Sequence, residues 1–185
     1  MPTCDPVIIH PVINQIISLK PNSVLDIGIG FGKWGALVRE YGEGWNHRRY
    51  HPDQWSIKLV GIEIWYAYKN PMWHLYDRVY NGEASGIVPT LPRFDLVLMI
   101  DVLEHFEKSE GIKMIKQIQC CINQPDATMA VYKPGRAIIS YANCDQAGVC
   151  NNDREDHVSK WTHEDLFSLG GTLIDSGPGR GLFLF

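Results

Sequence analysis

No stretch of this sequence is long and apolar enough to span a bilayer. The N-terminal apolar run, residues 7 to 19, is interrupted by Pro11, Asn14 and Gln15 and falls short of the roughly 20 residues a spanning helix needs. It also lacks the charged start and small-residue cleavage site of a signal peptide. Positive charge is scarce: 17 Lys and Arg stand against 21 Asp and Glu, a net -4. A surface built to neutralise nucleic-acid phosphates or to lie on anionic lipid is therefore not expected. Cysteine is limited to Cys4, Cys120, Cys121, Cys144 and Cys150, an odd number without a small-scaffold framework, so reduced thiols in a cytoplasmic setting are expected. Cys144, Cys150 and His157 are separated by five and six residues, which does not match a compact zinc knuckle, and no metal is expected. Internal repeats and low-complexity tracts are absent.

What is present is the composition of an ordinary folded chain: 185 residues, 45% hydrophobic and 21% charged. That length suits one domain, residues 1 to 185, with a sheet buried between two layers of helices. Val12, Ile13, Ile16 and Ile17 recur at helical spacing between Pro11 and Pro21. Residues 23 to 27 form an apolar run entering a glycine-rich turn, and residues 33 to 41 carry helix formers up to Gly42. Residues 58 to 63 and 94 to 100 read as buried parallel strands, with a shorter strand expected at 77 to 80. From Ser109, Ile112, Ile115, Ile118 and Ile122 give a helical stripe that Asn123, Pro125 and Asp126 break; residues 137 to 141 follow as a strand. Thr162 and Asp165 resemble a capping box, Gly170 and Gly171 close that helix, and residues 172 to 175 and 181 to 185 suggest a hairpin. Alternating strands and helices predict an α/β fold in three layers, doubly wound around a mostly parallel sheet. Residues 42 to 56, rich in Trp, His and Arg, read as an insertion over one edge. Its cluster His47, Arg48 and Arg49 is expected to be a solvated loop, or alternatively a lid.

In such sheets ligands bind beyond the carboxyl ends of the strands, near the point where strand order reverses. The first strand runs into Asp26-Ile-Gly28-Ile-Gly30-Phe-Gly32, whose glycines let the backbone turn sharply and approach a ligand. The helix that follows would turn free amides and its positive end toward the same place. A carboxylate at position 26 would repel a pyrophosphate but can accept hydrogen bonds from a cationic amino group. The second strand ends on Glu63, placed to accept from both hydroxyls of a ribose, and Ile64 or Trp65 can cover an adenine face. Gly82-Glu83-Ala84 offers an acid for an adenine amino group, and Asp101 lies just beyond the residue 94 to 100 run. The dinucleotide pattern G-x-G-x-x-G is not met from Gly28, because Lys33 stands at its third glycine, although Gly30, Gly32 and Gly35 do match it. A nicotinamide-dependent oxidoreductase therefore stays open.

The segments VLDIGIGFG at 24 to 32, VGIE at 60 to 63, GEA at 82 to 84 and FDLVLMIDVLEHF at 94 to 106 together resemble a class I, Rossmann-like S-adenosylmethionine-dependent methyltransferase over residues 20 to 185. The resemblance implies a seven-stranded sheet with its last strand antiparallel and S-adenosylmethionine as cofactor. It implies roles for Asp26, Gly28 and Gly30 at the methionine end, with Gly32 in the same turn, Glu63 at the ribose and Glu83 near the adenine. The Asp101-Val-Leu-Glu-His105 segment is similar to that of small-molecule enzymes, and the Asp/Asn-Pro-Pro-Tyr/Phe motif of amino-directed DNA enzymes is absent. A small-molecule acceptor, hydroxyl or amine, is expected.

Transfer to oxygen or nitrogen requires an acceptor held in line and its proton removed. His105, just after the fourth strand, and His157, in a segment crossing above the sheet, are the catalytic candidates. Each has a plainer reading, a locally bonded histidine and a loop anchor. Asp101 is read as a site residue rather than a helix cap, and Glu104 as a solvated partner of Lys108 at i+4. A protein that binds the nucleoside without turning over is the other alternative.

Overall fold

The computed structural model describes residues 4 to 124, 134 to 143 and 156 to 185. Seven strands, β1 (Ser23–Ile27), β2 (Lys58–Glu63), β3 (Arg78–Asn81), β4 (Leu96–Met99), β5 (Arg136–Ala142), β6 (Thr172–Gly177) and β7 (Arg180–Leu184), form one sheet in the order β3-β2-β1-β4-β5-β7-β6. The pairings from β3 through β5 are parallel, and β7 runs antiparallel to both β5 and β6. This is the expected α/β sheet, closed by the expected hairpin. Order reverses at β1, between β2 and β4, so the crevice for a ligand opens at the carboxyl ends of those strands. Register sets the tips level: Ile27 sits opposite both Ile62 and Met99, and Met99 opposite Ile139.

Period-two alternation sorts the strand residues between two cores. Leu25, Ile27, Val60, Ile62, Val97 and Met99 pack under α3 (Ala84–Ile87), α4 (Lys108–Ile122) and α5 (His163–Ser168). Val24, Leu59, Leu96, Leu98 and Ile138 pack on the other face, under α1 (Ile9–Leu19) and α2 (Lys33–Leu37). The isoleucine stripe of α4 is realised by Ile115, Ile118 and Ile122, all buried; Pro125 and Asp126 lie outside the described residues. The capping box is also formed, with the Asp165 N–H donating to Thr162 Oγ1 at 3.2 Å and the Thr162 N–H donating to Asp165 Oδ2 at 2.8 Å.

Helix α2 departs from expectation. It starts at Lys33–Leu37 and continues as a wider π turn over Val38–Trp45, passing through Gly42 instead of ending there. A Cβ on Gly42 would come within 2.7 Å of Ile57 Cδ1, so this glycine serves close packing and not termination. The segment taken as an insertion from residue 42 thus begins inside the helix. It is anchored by Glu43, which is fully buried and accepts from the N–H groups of Ser56 and Ile57 at 2.6 Å each. Trp45 and Tyr50 stay exposed. No helix among the described residues is long and apolar enough to cross a membrane.

Candidate active site

A cavity of about 890 Å³ opens at the strand-order reversal. Gly28, Gly30, Glu63, Ile64, Trp65, Glu83, Ala84, Asp101, His105 and His157 all line it, so the expected site residues converge with two exceptions. Asp26 and Gly32 do not form part of the wall. Asp26 lies two residues after Val24, hence on the α2 face of the sheet, where its Oδ2 accepts from the Tyr76 hydroxyl at 2.6 Å. Gly32 is the N-cap residue of α2, with φ +90°.

The glycine turn is held from within. The N–H groups of Gly28 and Ile29 donate to the Ile62 carbonyl at 2.9 and 3.2 Å, that of Gly32 to the Ile29 carbonyl at 2.8 Å, and that of Gly30 to Glu63 Oε2 at 2.8 Å. These four turn amides are therefore engaged, and of the first amides of the helix that follows, expected to face a ligand, that of Gly35 goes to Tyr76 Oη at 2.9 Å; Lys33 contributes a cationic side chain to the wall. At Gly28, φ is +74° and a Cβ would lie 2.4 Å from Val102 Cγ2. Glycine is required there by both the backbone and the neighbour.

Glu63 is 6% exposed and spans two turns, since Oε1 accepts from the Trp65 N–H at 2.8 Å while Oε2 holds Gly30. Asn81 donates to the carbonyl of Glu63 at 2.8 Å and steadies the same tip from β3. Asp101 adopts φ +53°, a left-handed conformation that costs a non-glycine residue about 1 to 3 kcal/mol. Ser140 Oγ compensates by accepting from the Asp101 N–H at 2.8 Å and donating to its Oδ1 at 2.5 Å. Burial pushes the Asp101 carboxyl up in pKa, opposed by the Ser140 hydroxyl and the Asp5 N–H.

Beneath the turn lies a buried relay. The Gly35 N–H donates to Tyr76 Oη at 2.9 Å, and Tyr76 donates on to Asp26, whose other oxygen is buried without a hydrogen-bond partner. Burial first, with the nearby Glu63 carboxylate, raises the Asp26 pKa to about 7 against the Tyr76 bond that lowers it. In the unfolded chain the group titrates near 3.8. Between those values the folded state holds the extra proton, so stability falls as pH rises from about 4 to about 7 and is level above it. Urea unfolding at pH 5 and pH 8 is expected to show this loss in the native chain and to show it reduced in Asp26→Asn; equal pH slopes in the two proteins would contradict it.

Glu104 is the largest departure from expectation. It is 1% exposed, not solvated, and Lys108 pairs with Asp165 at 2.5 Å instead. Burial and the Asp101 carboxylate push its carboxyl well above the usual range. The His105 ring lies 5.0 Å from that of His157, nearly perpendicular to it. Residues that the sequence reading missed also reach the wall: Cys4 and Asp5 from the N-terminus, and Arg180, which pairs with Asp5 at 3.2 Å, from the start of β7. Their sequence separation from the glycine turn carries no local signal. Cys144 and Cys150 lie outside the described residues. A second cavity, of about 580 Å³, is lined by Arg39, Trp45, Arg48, Arg49, Tyr50 and Trp55 among others and shares no residue with the first. The 42 to 56 segment therefore forms no part of the first cavity's wall.

Among the described residues, seven carboxyl groups (Asp5, Glu63, Glu83, Asp101, Glu104, Glu107 and Glu110) line the main cavity against two Lys or Arg side chains (Lys33 and Arg180). Such a wall favours a cationic occupant over a pyrophosphate.

No protein-family model matches the sequence, and no curated protein matches it. Solved structures do. An O-methyltransferase family protein from Burkholderia thailandensis superposes with TM-score 0.58 at 14% identity over 95% of this chain and 55% of its own. A SAM-dependent methyltransferase from Archaeoglobus fulgidus gives TM-score 0.57 at 15% identity, over 97% of this chain and 93% of its own. Magnesium protoporphyrin IX methyltransferase from Synechocystis, with bound SAM, gives 0.58 at 13% identity, covering 96% and 77%. The chain spans about half the length of the Burkholderia protein. With its seven strands in the order described and β7 alone reversed, the chain has the class I methyltransferase fold.

Proposed function

We propose that this protein is a cytoplasmic enzyme that transfers a methyl group from S-adenosylmethionine to a small-molecule acceptor through a hydroxyl or amine. The observation that carries the reading is the meeting of Glu63, Glu83 and Asp101, from the ends of three strands, around one cavity with the Gly28 and Gly30 turn. The residues present fit the cofactor. The cavity volume is within the range of small-molecule sites, its wall among the described residues is anionic as a sulfonium and an ammonium require, and the turn contributes Gly28 and Gly30, which carry no side chain, to the lining. Several neighbours in fold are described as methyltransferases, one with bound SAM and another with SAH.

When bound, S-adenosylmethionine supplies an electrophilic methyl group on a cationic sulfur. Glu63 would accept from the ribose hydroxyls while keeping Gly30 and Trp65 in place, since each carboxylate oxygen has a second lone pair. Glu83 and Ala84, at the start of α3, would meet the adenine, with Ile64 and Trp65 against its ring. Asp26 supports the turn from behind through Tyr76 and does not touch the ligand. We assign His105 and His157 to the acceptor end, where they handle the reacting oxygen or nitrogen.

Calorimetric titration with S-adenosylhomocysteine and with NAD tests the cofactor, and binding of NAD alone would sink the reading. With an acceptor found by screening hydroxylated and amine metabolites, His105→Ala and His157→Ala are each expected to lower kcat by about 10²-fold or more, with S-adenosylhomocysteine affinity unchanged. A cofactor that binds without turnover on a broad panel would favour a non-catalytic binding protein.

A further inference from the structure

Glu104, His105 and His157 bring one carboxylate and two imidazoles together, their donor atoms all within 4.8 Å of one another. Glu104 Oε1 accepts from the Ala142 N–H at 3.1 Å and lies 4.0 Å from His157 Nε2. Its Oε2 is buried with no hydrogen-bond partner. An anionic oxygen removed from water without a donor is costly, and the cost is relieved when a cation sits against it. His105 Nδ1 lies 3.1 Å from the Asp156 carbonyl. A carbonyl can only accept, so in neutral His105 the proton is on Nδ1 and the lone pair on Nε2, the arrangement by which an outer hydrogen bond orients a metal-bound imidazole.

We propose that Glu104, His105 and His157 form a binding site for a divalent transition-metal ion on the cavity wall. Two nitrogens and one carboxylate oxygen suit Zn²⁺, Mn²⁺, Fe²⁺ or Co²⁺ better than Mg²⁺ or Ca²⁺, which favour oxygen-only sets. Three protein donors leave at least one coordination position open. The donors, up to 4.8 Å apart, must close by up to about 1.4 Å to reach the roughly 3.4 Å spacing of ligands around a tetrahedral ion with bonds of about 2.1 Å, a movement that side-chain rotation supplies. The spacing of Cys and His along the chain held no sign of this site, because His157 arrives from another part of the fold.

Resting on the methyl-transfer reading, the open position takes an oxygen of the acceptor. The ion then lowers the pKa of that hydroxyl. An oxygen lone pair forms the new bond to the methyl carbon, the carbon–sulfur bond breaks with its electrons remaining on sulfur, and the hydroxyl proton leaves to water.

The test is titration of the metal-stripped full chain with Zn²⁺ and Mn²⁺ alone, followed by calorimetry, with the visible absorption of added Co²⁺ reporting nitrogen ligation. One ion per chain is expected, with affinity reduced at least tenfold in His157→Ala and in Glu104→Gln. If Glu104→Gln does not fold, His105→Ala, at a partly exposed position, makes the same test. Absence of saturable one-to-one binding, or equal affinity in the His105→Ala/His157→Ala double variant, overturns the site. Titration with S-adenosylhomocysteine keeps the two readings apart. Metal binding without nucleoside binding upholds the site and removes its role in methyl transfer, whereas nucleoside binding without metal binding removes the site and leaves the transfer reading standing.

Discussion

Glu63→Ala is expected to weaken S-adenosylhomocysteine binding by about 1 to 3 kcal/mol, which is roughly 5- to 150-fold, because it strips a charged acceptor from the cavity. The same substitution leaves the Gly30 and Trp65 N–H groups without the partners that now hold them at 2.8 Å. Each unsatisfied donor costs about 1 to 3 kcal/mol, so the variant is also expected to unfold at lower denaturant. The two effects separate by measurement. Calorimetry on the folded variant reads the ligand contact, and urea unfolding without ligand reads the turn. Glu63→Gln is an informative companion, since its amide oxygen can keep one of the two N–H bonds while its NH₂ opposes the other. Full affinity in folded Glu63→Ala would remove Glu63 from the cofactor site.

The second large effect is structural. Glu43→Ala is expected to destabilise the protein by about 3 to 5 kcal/mol, the usual cost of removing one partner from a buried charge cluster. Glu43 accepts from the Ser56 and Ile57 N–H groups and pairs with Arg49 at 3.0 Å and Arg39 at 3.4 Å, with Arg39 itself almost wholly buried. Arg39 goes on to the Ile57 carbonyl at 2.7 Å and to Asp77 at 3.2 Å, so one carboxylate ties α2 to the starts of β2 and β3. Burial pushes the Glu43 pKa up. The Ile57 N–H, the Arg49 guanidinium and the Ser56 N–H outweigh it, and the carboxyl lies below its ordinary 4.5. A depressed carboxyl contributes stability that is present above the unfolded value and lost as pH falls through the folded one. Loss of stability on acidification below about pH 4.5 should therefore be shallower in Glu43→Ala. A midpoint of unfolding equal to that of the native chain would show that solvent, and not Glu43, carries the 42 to 56 segment.

The strands were legible because burial on both faces demands near-continuous apolar runs, which residues 24 to 27, 59 to 62 and 96 to 99 supply without help from distant partners. The glycine turn was legible for a related reason. A positive φ beside a crowded strand tip admits few residues, and Gly28 declares it. The ends of α2 were not legible, because a glycine that stops a helix and a glycine that lets Ile57 approach it look alike in one dimension. Asp26 shows the same limit. Its place in the motif was evident, but the pleat that turns it away from the cavity toward Tyr76, 50 residues on, is a property of the folded sheet.

By itself the sequence determined the succession of strands and helices along the chain, the doubly wound class, and the carboxylates at strand tips, since these follow from local periodicity and from what directly ends each run. Only the tertiary structure decided which acids face the ligand space. It placed Glu63 there while engaging it with Gly30 and Trp65, and it buried Glu104 beside His157 when i+4 spacing had pointed to Lys108. It also brought Asp5 and Arg180 from opposite ends of the chain to one wall. The reason is that a polar group's role is set by what removes it from water and what meets it there, and those neighbours are assembled by packing between segments distant in sequence.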